Sequence, residues 1–304
     1  MRSGDPHLAI AERAVPGGRL LRRWPLVGGV SARVEALEIE RGGSTTRVVV
    51  RSEGADWKAL GAGSSARDFA LLSALHAAGL EVPLPYFADD SRELLPTPFL
   101  VLSFVEGTTD VDAAALPDAL RQMASFLARL HALPVHAMEL PDLPRGDDPI
   151  AGVLRYLPES IGPLDDELLE RVSAGSWRQA NAPALLHGDF WPGNILWEDG
   201  RLAAVLDWED ASVGDPLSDL ACCRIELACR HGEPAMDAFT AHYLSFAPLD
   251  TAALPWWELY ASSAALALMA QWGLDPADEA ARRRTTSRLM HRALHEVRSR
   301  RASP

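Results

Sequence analysis

A chain of 304 residues with 48% hydrophobic and 23% charged residues holds enough apolar material for a sizeable core, in one large domain or two lobes. Its formal net charge of −13 argues against nucleic acid as the main partner, because phosphate binding needs a basic surface. Three cysteines (Cys222, Cys223, Cys229) give neither a disulfide framework nor a zinc spacing, and no apolar segment has signal-peptide or membrane-spanning character, so a cytoplasmic protein without membrane contact is expected.

In chain order, a short helix is predicted near 8–14. Strands follow at 19–26, 32–40 and 46–51, joined by Gly28-Gly29 and by Arg41-Gly42-Gly43-Ser44, which makes an antiparallel meander with glycine turns. In the third strand Arg47, Val49 and Arg51 share one face, and Val48 and Val50 the other. Residues 64–78 carry Phe69, Leu71, Leu72, Leu75 and Ala78 close to helical period, and Gly79 fits the stop. Two more strands, 82–88 and 98–105, flank a turn at Asp89-Asp90-Ser91-Arg92, and 103–109 breaks into a loop. The composition then turns helical, with helices at 117–132, 150–160, 165–175, 216–230, 234–245, 255–272 and 275–300. Strands plus one helix followed by a mostly helical half read as an α+β, two-lobed architecture.

The richest stretch lies inside the helical half: LLHGDFWPGNILWEDGRLAAVLDW, residues 185–208. Asp199-Gly200 between two apolar runs predicts a hairpin. It begins at Asn194 and finishes at Asp207, thirteen residues on, so two oxygen-bearing side chains meet beside the loop that carries Asp189. Such a set suits phosphoryl transfer. Asp189 would be the catalytic carboxylate that takes the proton of an incoming hydroxyl, and Asn194 and Asp207 would hold Mg²⁺ on nucleotide phosphates. His187 reads as a structural loop residue. Asp215 before Pro216 fits a helix N-cap with proline in first helical place.

The pattern HGDxxxxN, followed by LDWE and GDPxxDLA, resembles the aminoglycoside phosphotransferase family of kinase-like small-molecule kinases, over roughly residues 20–270. The resemblance implies a protein-kinase-like fold: a nucleotide-binding lobe over 1–102, a hinge over 103–108, and a catalytic and substrate-binding lobe over 109–304. It implies ATP or GTP as phosphoryl donor and a small-molecule acceptor. It places Gly28, Gly29 and Ser31 in a phosphate-covering loop, and Val49, Arg51 and Asp68 on the nucleotide side of the lobe. Arg51 would be the phosphate cation, with Lys58, the only lysine, as the alternative. Asp68 stands where the family pattern has Glu to orient that cation. The Ser103 carbonyl and Val105 amide would meet the adenine edge, and Asp219 would brace the catalytic loop.

Trp191, Glu209, Trp256, Trp257 and Tyr260 are candidates for the acceptor side, the aromatics as a cation-binding or sugar-stacking wall. Helix packing is the competing reading of the aromatics, and the metal shell or solvent that of Glu209. The rival function is a binding-only pseudokinase, argued from Arg51 and Asp68. A metal-dependent phosphohydrolase lacks further His/Asp clusters.

Overall fold

The computed structural model describes residues 5–26, 32–53, 65–146, 148–173 and 179–299. Gly28, Gly29, Ser31 and Lys58 lie outside these residues. The N-terminal part starts with α1 (Pro6–Ala14), β1 (Arg19–Pro25), β2 (Ala32–Arg41) and β3 (Ser44–Glu53). It continues with α2 (Ser65–Ala77), β4 (Pro85–Asp89) and β5 (Phe99–Ser103). The strands form one antiparallel sheet in the order β1-β2-β3-β5-β4.

Alternation along β3 decides what each face does. Val48 and Val50 are buried with Leu37, Ile39, Phe99 and Val101, and Ile10 and Ala11 of α1 complete that cluster. Arg47, Val49 and Arg51 take the opposite face, as their spacing requires. Leu71, Leu72 and Leu75 of α2 belong instead to the large core shared with the C-terminal part. The strand expected from residue 82 begins only at Pro85.

The C-terminal part comprises α3 (Leu116–His131), α4 (Pro149–Ile161), α5 (Asp166–Ser173), β6 (Ala184–Leu186), β7 (Ile195–Glu198), β8 (Arg201–Val205) and β9 (Ser212–Gly214). Then come α6 (Leu217–His231), α7 (Glu233–Phe246), α8 (Leu254–Leu268) and α9 (Pro276–Ser299). The hairpin β7-β8 turns at Asp199-Gly200, where both residues have positive φ (49° and 74°). β6 and β9 pair as three-residue strands that the sequence reading left unassigned.

Two helical layers position the loop between β6 and β7. The apolar face of α3 includes Phe126, whose ring stacks on Phe190 with centroids 5.9 Å apart. α6 sets Asp219 of its first turn directly beneath the same loop. The helix starts at Leu217 rather than at Pro216, so the expected cap shifts by one position. Asp215 Oδ1 still accepts from the Leu217 amide at 3.0 Å, which satisfies a free helix donor. No helix among the described residues is long and apolar enough to cross a membrane.

Candidate active site

His187, Gly188 and Asp189 leave β6 in a turn that the surrounding backbone dictates. Gly188 has φ +86°, and a Cβ there would overlap the Asp210 carbonyl. A side chain at this position is therefore blocked twice, by conformation and by close approach. The fully buried Asp219 carboxylate accepts from the His187 amide (2.8 Å), the Gly188 amide (2.9 Å) and His131 Nε2 (3.1 Å). These donors outweigh burial and hold Asp219 below its ordinary range.

The buried His187 ring joins the loop to the hairpin. Its Nε2 donates to the Leu206 carbonyl at 2.8 Å, and its Nδ1 accepts from the Asp189 amide at 3.2 Å. That pairing fixes one neutral tautomer, and burial pushes the ring's pKa down. Leu206 N in turn donates to the Asn194 carbonyl at 2.8 Å, which closes the hairpin ends on each other.

Asp189 is half-buried beside this frame. Its Oδ2 accepts from Asn194 Nδ2 (3.0 Å) and Trp191 Nε1 (3.2 Å), and the Cys222 thiol lies 3.9 Å from Oδ1. Burial pushes Asp189 up to about 6; Asn194 opposes the shift, while Asp210, Asp207 and Glu226 add to it. Asn194 Nδ2 donates to both the Asp189 carbonyl and its carboxylate. That leaves Oδ1 as the amide atom available to ligate.

Asp207 ends the hairpin in the left-handed region, with φ 62°. This is uncommon outside glycine, and Asp tolerates it better than most residues. Its carboxylate lies 3.3 Å from Arg51 Nη2, and burial raises its pKa against the pull of Arg51. Arg51 also reaches Glu209 Oε2 at 2.5 Å and Asp68 Oδ2 at 3.7 Å. Burial alone would lower the Arg51 pKa; Asp207, Glu209 and Asp68 together raise it. Asp68, although one methylene shorter than Glu, thus comes within ion-pair range of the cation. Arg67 donates to Asp68 at 3.2 Å and to the Glu209 carbonyl at 2.7 Å, tying α2 to the segment after β8.

The predicted residues therefore gather in two adjoining sets: Arg51, Asp68, Asp207 and Glu209, and Asp189, Asn194 and Trp191. Glu209 belongs to the first set, on the side of Arg51, and not to an acceptor wall. Trp256 and Trp257 are corrections. Trp256 packs with Val153, Leu157 and Met290 because α4 and α9 cover that side of α8, and Trp257 sits in the large core with Leu217, Leu220 and Tyr243, on the side that faces α6. Tyr260 is half-buried and stacks on Tyr156 of α4, with centroids 6.2 Å apart. Val49 is half-buried on the face of Arg51, paired across the sheet with Ala36 and Leu102. Ser103 ends β5, where its amide donates to the Leu84 carbonyl and its hydroxyl accepts from the Leu84 amide; Val105 is half-buried two residues on.

Sequence reasoning missed Cys222, Glu226 and Arg230. They recur every fourth residue on α6, and the first two act on Asp189. Their spacing was visible, but nothing in the sequence says which face of α6 meets the loop.

A five-stranded antiparallel sheet joined to a helical part, with an Asp-bearing loop and an Asp-ended hairpin facing a sheet arginine, is the kinase-like architecture. The family model of the phosphotransferase enzyme family matches residues 25–260, and the chain belongs to that family. A chicken (Gallus gallus) acyl-CoA dehydrogenase family member 11 is 30% identical over 171 residues, 51% of this chain and 22% of that protein. The chain thus spans about a fifth of that relative's length, 22%. Viomycin phosphotransferase of Streptomyces vinaceus is 31% identical over 159 residues, 47% of this chain and 55% of that enzyme. Choline kinase of Streptococcus pneumoniae shares the fold at TM-score 0.61 and 19% identity, covering 96% of this chain and 98% of its own. So does an aminoglycoside phosphotransferase solved with AMP-PNP and hygromycin B, at TM-score 0.60 and 17% identity over 90% and 94%.

Proposed function

We propose that this protein is a small-molecule kinase that moves the γ-phosphoryl group of ATP or GTP to a hydroxyl of its acceptor. The observation that carries the reading is the convergence of Asp189, Asn194, Asp207 and Arg51 at the open end of one hairpin, opposite its Asp199-Gly200 turn. Family membership supports phosphotransferase activity, and the nucleotide complex of the aminoglycoside enzyme supports a nucleoside triphosphate donor.

In this reading residues 1–102 and 109–304 are the two lobes and 103–108 the hinge, where the Ser103 carbonyl and Val105 amide receive the base. Arg51 holds the donor phosphates, kept in place by Asp68 and Glu209. Asp189 orients the acceptor hydroxyl and takes its proton as the acceptor oxygen bonds to the γ-phosphorus. The bond from that phosphorus to the β-phosphate oxygen breaks, and the nucleoside diphosphate leaves. Asp219 and His187 hold the loop still throughout, and Asp215 holds the start of α6.

Among the described residues no group of three or more His, Cys, Asp or Glu side chains forms a metal-holding set. One carboxylate (Asp207) and one amide oxygen (Asn194 Oδ1) nevertheless fit Mg²⁺, a hard cation that takes few protein ligands and completes its shell with phosphate oxygens and water. Bound there, Mg²⁺ would neutralise charge on the donor phosphates. The link from Arg51 to Asp68 favours this active reading over a binding-only pseudokinase.

The test is calorimetric titration with ATP and GTP, each with and without Mg²⁺, on the natural protein and on Asp207→Ala. Mg²⁺-dependent binding that is lost in the variant is expected. Absence of binding by either nucleotide under every condition would overturn the assignment.

A further inference from the structure

The acceptor side of Asp189 carries a charge that its neighbours leave unmatched. Trp191, whose indole donates to Asp189, has Arg230 Cζ 4.8 Å and Arg282 Cζ 5.9 Å from its ring centroid. The π surface that a cationic acceptor would use is therefore already occupied by the chain's own guanidinium groups. Arg282 is spoken for: its Nη1 lies 2.7 Å from Glu226 Oε2. Arg230 is exposed, and among the described residues no carboxylate lies within ion-pair range of it. Asp110 and Glu226 act on it only from farther away, and partial desolvation against its neighbours together with Arg282 pulls its pKa down. One indole ring separates this guanidinium from the carboxylate of Asp189.

We propose that the acceptor carries an anionic group, a carboxylate or a phosphate ester, that docks on Arg230 while its hydroxyl meets Asp189. The inference rests on the phosphoryl-transfer reading above and adds the acceptor's chemical class to it. Arg suits the task because its planar fork holds either anion through two hydrogen bonds. The net charge of −13 would suggest a cationic acceptor; the local charge beside the base points the other way. Arg230 is thus a specificity residue that touches the acceptor's remote end and not the reacting atoms.

The experiment measures phosphoryl transfer from ATP to glycerate, glycerol phosphate, glycerol, ethanolamine and choline, by nucleoside diphosphate release and by the mass of the product. One or both anionic acceptors should exceed the neutral and cationic ones by at least about tenfold in kcat/KM, and their ranking separates carboxylate from phosphate recognition. Arg230→Gln should raise KM for the preferred anion about tenfold or more with kcat nearly kept, the signature of lost uniform binding. Arg230→Lys should restore part of the loss, and Arg230→Glu should move choline ahead of glycerate. Preference of the natural protein for choline, ethanolamine or glycerol would overturn the proposal, as would an unchanged KM in Arg230→Gln.

A second arm titrates the natural protein and Arg230→Gln with inorganic phosphate and acetate by calorimetry. Binding confined to the natural protein supports the anion subsite; binding unaffected by the substitution, or none, removes it. Nucleotide titration of the same samples keeps the two readings apart. Lost anion preference with intact nucleotide binding defeats only this inference, whereas lost nucleotide binding defeats the kinase assignment.

Discussion

Asp189 and Asp219 serve one loop from two sides, and their surroundings drive them in opposite directions. Asp219 is fully buried and surrounded by donors: two backbone amides and His131. Asp189 has one amide and one indole donor and stands near Asp207, Asp210 and Glu226. The first is held below the ordinary carboxylate range and the second is pushed up to about 6. A carboxylate saturated with hydrogen bonds is a brace, because any proton it took would cost several bonds. A carboxylate with spare acceptor capacity and a raised pKa can receive a proton near neutral pH.

The sharpest way to break this contrast is to remove each carboxylate in turn. Asp189→Ala should lower kcat by about 10³-fold or more with nucleotide binding retained, since general-base and positioning roles together span that range. Its stability at pH 8 should hold or rise. A pKa raised on folding contributes stability that is complete below the unfolded value of 3.8 and is lost as pH climbs through about 6, so the charged native Asp189 is a cost. Asp219→Ala should do the reverse and destabilise the fold by about 3 kcal/mol or more, because it strands the buried His187 amide and removes the acceptor of the Gly188 amide and of His131. Its lowered pKa contributes stability above pH 3.8 that is lost on acidification. Denaturant midpoints at pH 8 and pH 5 with steady-state kinetics check both, and equal stability losses in the two variants would erase the distinction.

Arg51 is the next test, with a smaller expected effect. Arg51→Ala should raise the KM for the nucleotide about 10- to 100-fold, whereas Lys58→Ala should change it little. The opposite ranking would move the phosphate contact to Lys58.

The sequence exposed what depends on local spacing and hid what depends on which surfaces meet. The Asn194-to-Asp207 interval and the Asp199-Gly200 turn announced the hairpin, because a two-residue turn with positive φ fixes its own register. Alternation in β3 sent Arg51 to the right face for the same reason. Gly188, one letter of the HGDxxxxN pattern in the sequence, proved to be required by the Asp210 carbonyl, a contact across 22 residues that no local pattern encodes. Trp256 and Trp257 look alike whether they line a cleft or a core, and only the cover from α4 and α9 on one side of α8 and from α6 on the other decides. The three-residue strands β6 and β9 are too short to show a period, and they exist because they pair with each other.

The smallest effect concerns the indole that touches Asp189, the proposed base. Trp191 Nε1 donates to Asp189 Oδ2 at 3.2 Å, and a donor to the charged form holds a carboxylate's pKa down. In the natural protein kcat/KM should fall on acidification below pH about 6, as Asp189 takes up a proton. Trp191→Phe keeps an aromatic ring for Arg230 and removes the donor, so this acid limb should move to higher pH by less than about one unit, with kcat at pH 8 little changed. The ring is half-buried and belongs to none of the core clusters, so the melting temperature should stay within a few degrees of the natural protein's. A shift of the limb to lower pH would mean that the indole does not stabilise the ionised base. The raised pKa of Asp189 would then rest on burial and its acidic neighbours, opposed by Asn194 alone.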